Sequence, residues 1–196
     1  MSEKVACTAC GAQILPSTAA ANGGLCTPCK GGYRHKIEEG KRQRAADKIA
    51  QANPDPITKH WRWLVSEAAG YRFDVLSPEN QVFFAATLLE GEVHNGGFLQ
   101  FFGNSSGDYY VYAVRGLTEI GAGECRDILL AAKQIIFGAD DVPEDRFSRW
   151  TYLEALTRAK ENRVHELDRA FWGAARIALP LFRDYGHKHG LFDGFQ

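Results

Sequence analysis

No apolar run in the 196-residue chain approaches the roughly 18–20 residues that a membrane helix needs, so helical insertion in a bilayer is excluded. The opening, MSEKVACTACG, lacks the basic start and apolar core of a secretory signal, and the expectation is a cytoplasmic protein. After Pro54 no stretch alternates apolar and polar residues for any length, which argues against a sheet in the main part of the chain. The chain also lacks a P-loop, a glycine-rich nucleotide loop after a strand, a G-x-S-x-G elbow and an H-E-x-x-H pair. Charge of one sign is scarce as well, since the net is −1. Residues 1–53 hold 8 Lys/Arg against 4 Asp/Glu, and residues 54–196 hold 15 against 20. Neither balance by itself requires a nucleic acid or marks the chain as an acidic decoy.

What is present begins with cysteine. Four of the five cysteines fall within the first 29 residues, as Cys7-x2-Cys10 and, fifteen residues on, Cys26-x2-Cys29. Each pair can wrap its backbone round one face of a metal ion, and four thiolates complete a tetrahedron about Zn²⁺. Gly11 follows the first pair, and Gly24 and Gly31 flank the second, where tight turns need freedom in φ. About twenty residues cannot bury a core of their own, so the metal would supply much of the folding energy. Two disulfides or a redox pair are the alternatives, but a redox C-x2-C opens a helix in a βαβ pattern that is missing here. The reading is therefore one structural Zn²⁺ held by Cys7, Cys10, Cys26 and Cys29.

Residues 1–32 form this module, 33–53 a basic helical linker and 54–196 the main domain. The linker carries Arg34, Lys36, Lys41, Arg42, Arg44 and Lys48, with a thin stripe of Ile37, Ala45, Ala46 and Ile49. A solvated helix explains it better than a nucleic-acid contact, because Tyr33 is the only aromatic residue available to stack on a base. Nucleic-acid binding by the module and linker stays open as an alternative.

The main domain reads as all-α, with seven or eight helices. Asp55 is placed to cap a helix with Pro56 at its first turn. Ile57, Trp61, Leu64, Val65 and Ala68 form its inner stripe, which ends at Gly70, with His60 at the surface. Ser77-Pro78-Glu79 opens a second, nearly all-apolar helix. Cys125 lies in the stripe Ile128, Leu129, Ala132, Ile135 and Ile136 and reads as a small core residue. Asp140, Asp141, Glu144 and Asp145 form an acidic turn, a candidate contact patch, ahead of a helix whose Phe147, Trp150 and Leu153 point inward. Val164, Leu167, Phe171, Trp172, Ala175, Leu179, Phe182 and Tyr185 outline one or two last helices, bent or divided near Pro180. His165, His187 and His189 read as surface residues.

The stretch Glu92–Asn104, EVHNGGFLQFFGN, is the most informative part of the chain. Asn95-Gly96-Gly97 stops a helix, and four large apolar residues follow at once, so the break is buried. A buried break leaves orphan N–H and C=O groups that nearby polar side chains must satisfy. In the preferred reading Asn95 caps the break, Gln100 and Asn104 serve nearby backbone, and Glu92 accepts from orphan N–H groups or an arginine. The alternative is a hydrolase-like pocket with Glu92 as base and His94 and Asn95 beside it. Residues two apart on a helix diverge, which counts against that pairing.

Two resemblances follow from these residues. The ILPSTA and GGLCTPC pieces resemble short zinc-ribbon-like modules in bacterial proteins, which implies zinc without an assigned activity. Residues Trp61 to Tyr185 resemble the helical domain named after a bacterial DNA-mimic protein. That likeness rests on Glu92-x-x-Asn95-Gly96-Gly97-Phe98-x-Gln100-x-Phe102-x-Asn104, on Gly107, Leu117 and Ile120-Gly121, and on Leu167-Asp168-x-x-Phe171-Trp172. It implies an all-helical, dimer-forming domain; in the naming member, surface carboxylates stand in for DNA phosphates. The mixed charge of residues 54–196 departs from such a surface, since mimicry of phosphate is many-site electrostatics. The expectation is a non-catalytic interaction protein, binding another protein and possessing a structural zinc module.

Overall fold

The computed structural model describes residues 3–69 and 72–195. Gly70, where the first inner stripe was expected to end, lies outside them. Helix accounts for 76% of the structure, which makes the protein all-α. The chain divides into two compact units, Met1–Asp55 and Pro56–Gln196.

In the first unit β1 (Val5–Ala6) pairs antiparallel with β2 (Gln13–Ile14), followed by α1 (Pro16–Ala21), α2 (Thr27–Lys30) and α3 (Arg34–Ala52). Both short helices begin with a proline in the first turn, where a missing N–H costs nothing. Helix α3 buries no residue. It is built from Arg, Lys, Gln and Ala, which favour helix, and braced by Arg34–Glu38 and Gln43–Asp47 pairs four residues apart.

The second unit runs through α4 (Pro56–Ala69), α5 (Pro78–Gly103), α6 (Tyr110–Ile120), α7 (Gly123–Phe137), α8 (Arg146–Glu154) and α9 (Arg158–Lys188). Six α-helices therefore do the work assigned to seven or eight, and three 3₁₀ turns, Phe73–Val75, Ser105–Tyr109 and Asp193–Phe195, complete the described count. Helix α5 is the centre: it packs on α4, α6, α8 and α9, and its apolar residues face every side. Gly116 lets α6 approach closely, since a Cβ there would stand 2.8 Å from the Val82 carbonyl. Cys125 is buried in α7, and burial, then Glu124, pushes its thiol up to about 11, as suits a core residue. Pro180 neither ends nor divides α9, which continues to Lys188.

Several residues sit differently from the periodicity reading. His60 is buried rather than superficial, and Val65 is exposed in its place. The His60 ring lies among Trp63, Phe83, Phe192 and Phe195, with Nε2 2.8 Å from Asn80 Oδ1. On α8, Phe147 is 80% exposed and Trp150 half-exposed, whereas Arg149 is fully buried. Leu179 and Trp172 on α9 are also partly exposed, and Ala174 and Ala178 take the inner positions.

Candidate functional site

Two places gather polar or soft side chains. In the first unit the four cysteine sulfurs lie within 4.8 Å of one another, and Cys7 and Cys26 are buried. No disulfide joins them, and Cys10 Sγ and Cys26 Sγ are 3.7 Å apart. The turn between the two short strands carries the first pair, and the cap and first turn of α2 carry the second. Gly11 and Gly24, both at positive φ, make the turns that bring them together. Gly31 is not one of these; its φ is −81°, and the left-handed turn falls at Gly32.

The donor set fits zinc. Four sulfurs around an ion with Zn–S bonds of about 2.3 Å stand about 3.8 Å apart, the scale seen here. The Cys26 N–H donates to Cys7 Sγ at 3.2 Å, a bond that favours thiolate and lowers Cys7 to about 6. Cys29 is pushed up to about 12, by hydrogen bonding to Cys26 first and burial next. Four crowded sulfurs cannot all ionise unless a cation lies among them.

The second place is the corner of α5. Helical geometry fails at Gly96 (φ −157°, ψ 16°) and Gly97 (φ 77°, ψ −177°). Helix α9 supplies partners to two backbone groups at this break. The Phe98 N–H donates to Asp168 Oδ1 at 2.8 Å, and Trp172 Nε1–H donates to the Val93 carbonyl at 3.0 Å. Asp168 and Trp172, one turn apart, thus supply the acceptor and the donor that the break requires. Gly97 is required twice, by its positive φ and because a Cβ would fall on the Asp168 carboxylate. His165 Nδ1 lies 3.1 Å from Asp168 Oδ2.

Glu92, Gln100 and Asn104 do converge, but on each other. Glu92 Oε2 accepts from Gln100 Nε2 at 2.8 Å and from Asn104 Nδ2 at 3.2 Å, tying the two halves of the bent helix together. The expected partners, backbone N–H groups or an arginine, are not the ones used. Asn95 is exposed and, among the described residues, makes no side-chain hydrogen bond, so it does not cap the break. His94 is turned towards Glu90, with Nδ1 3.0 Å from its carbonyl and 3.1 Å from its carboxylate. Glu92 and His94 are therefore not brought together. The hollow beside Glu92 is about 190 Å³ and is walled by Val65, Phe84, Leu88 and Tyr109 together with Ser105 and Ser106.

The C-terminal end of α5 is closed by α8. All five N–H groups of Arg149 are used: Phe102, Asn104, Pro143 and Glu144 carbonyls at 2.7–2.9 Å, and Asp108 Oδ1 at 2.6 Å. Trp150 Nε1 and Arg146 Nε both donate to the Gly103 carbonyl, at 2.6 and 2.9 Å. Trp150 stays half-exposed because its N–H must reach that helix end. Gly107 leaves room for the guanidinium, since a Cβ there would meet Arg149 Nε at 2.8 Å. Asp168 is visible in the sequence only as part of the Leu167-Asp168-x-x-Phe171-Trp172 motif, without a role, and Arg149 is in no motif. The available signal was a charge on a helical face otherwise apolar, Val164–Asp168–Phe171.

The four acidic residues of the turn are exposed, but two of the carboxylates have local work. Asp140 accepts from the Tyr152 hydroxyl at 2.9 Å. Asp145 caps α8 by accepting the Ser148 N–H at 2.7 Å, which holds its carboxyl below the usual range.

The family model described as DMP19-like protein matches residues 74–189. The chain belongs to the DMP19-like family. The match takes in the α5 corner, Arg149, Asp168 and Trp172, and leaves the four cysteines and α3 outside it. Family membership fits a non-catalytic interaction role. No curated protein and no solved structure matches the chain.

Proposed function

We propose that this DMP19-like protein is a non-catalytic interaction protein that binds another protein, with one structural Zn²⁺ held by Cys7, Cys10, Cys26 and Cys29. The observation that carries the reading is the α5 corner. Gln100 and Asn104 both donate to Glu92, while Asp168 and Trp172 serve the broken backbone. The residues most suited to chemistry are thereby engaged in holding the fold, which favours a role on the surface. The zinc would fold the N-terminal module and supply no reactive position, since four thiolates close its coordination.

The family likeness supports a macromolecular partner, and the exposed turn of Asp140, Asp141, Glu144 and Asp145, beside exposed Phe147, is the proposed contact patch. A second copy of the chain is the other partner the likeness supports. The test is covalent crosslinking of the full chain in its native cells, with a parallel screen for turnover on hydrolase substrates. The reading expects a recurrent protein partner whose yield falls on charge reversal of Asp141 and Glu144. Turnover without any partner would overturn it.

A further inference from the structure

A groove of about 680 Å³ lies where the start of α4 meets α5 and the C-terminal half of α9. Its apolar wall is Ile57, Phe83, Leu179, Pro180 and Phe182. That volume, and a mainly apolar lining with a few polar groups, are those of small-molecule sites. Leu179 is 53% exposed, on a stretch of α9 where Ile177 and Leu181 are exposed as well, while Phe182 and Tyr185 are buried.

The polar groups around the groove are unusually free. Arg176 and Arg183 both line it, two turns apart on α9, and neither has an ion-pair partner among the described residues. Two carboxylates are also present. Glu90 is engaged, because His94 Nδ1 faces only its oxygens and so donates to them. Asp184 remains, which leaves two guanidinium groups to one uncommitted carboxylate. Thr87 Oγ1, on the α5 wall, is buried without a hydrogen-bond partner among the described residues. Pro180 has no N–H, so the Arg176 carbonyl lacks its donor four residues on.

We propose that this groove binds a small amphipathic carboxylate, of which a medium-chain fatty acid is the simplest. The carboxylate lies against Arg176 and Arg183, whose planar forks match its two oxygens, and the apolar body lies over Phe83, Leu179 and Phe182. The groove is lined by none of the four cysteines and by none of Glu92, Gln100, Asn104, Asp168 and Trp172, so the inference stands whether or not a protein partner is found.

The test is calorimetric titration of the full chain with decanoate, and with decyltrimethylammonium as the cationic match. Decanoate is expected to bind once per chain. Arg176→Ala and Arg183→Ala should each weaken it about tenfold, and Leu179→Glu should abolish it. All three side chains are exposed, and an unchanged melting curve will show that the fold is retained. Equal affinity for the cationic amphiphile, multiple molecules bound per chain, or arginine variants that bind as the parent does would each overturn the proposal. So would an affinity for decanoate weaker than about 1 mM.

Discussion

Asp168 is the residue on which the bent helix depends most directly. The residue is 5% exposed, and its carboxylate accepts the Phe98 N–H just past the break and occupies the space Gly97 leaves. Asp168→Ala should cost about 1–3 kcal/mol by leaving that buried donor unpaired, and Asp168→Asn, which keeps an oxygen, should cost less. Urea unfolding of the two variants beside the parent would check the order. Arg149→Met removes the partner of four carbonyls and a carboxylate at once, and a loss of about 3–5 kcal/mol is expected. His60 gives a pH signature. Burial lowers its pKa from 6.5, so the unfolded chain takes up the proton first. Stability is full above that ordinary value and falls as pH drops from it towards the native value. Unfolding measured between about pH 7.5 and 5.5 should show this slope, and His60→Gln should flatten it.

Among the elements, α5 and α8 show why the pattern of apolar residues was only a partial guide. The break at Gly96-Gly97 was legible because two glycines before four large apolar residues admit little else. Its partners were not, because they come from α9, seventy residues on, and depend on how two helices pack. Helix α8 misled for a related reason. Phe147, Trp150 and Leu153 follow helical spacing, yet the face turned inward is the one holding Arg149, because the open carbonyls of α5 need donors. Carbonyl satisfaction outweighed the burial of Phe147. His60 was likewise read as a surface residue because its aromatic neighbours Phe192 and Phe195 lie at the far end of the chain. The cysteine module was the easier inference, since its spacing is local. For protein purified without added metal, zinc content should approach one equivalent, and Cys26→Ser should lower it. That variant should unfold residues 7–29 by hydrogen exchange while the Pro56–Gln196 helices keep their protection.

For the whole molecule, the all-α class and the family were accessible from the NGGF motif and its surroundings, while the activity had no local signature to find. Two units of opposite charge balance, one gathering four cysteine sulfurs and one holding a large apolar core, fit the interaction role proposed above. The most direct test compares the parent and Glu92→Gln by quantitative crosslinking in native cells. The variant keeps an amide oxygen for Gln100 and Asn104, so a folded chain is retained. The account predicts the same protein partner at the same yield for both chains, and no turnover by either. Turnover by the parent that Glu92→Gln abolishes, with no partner captured by either, would contradict it.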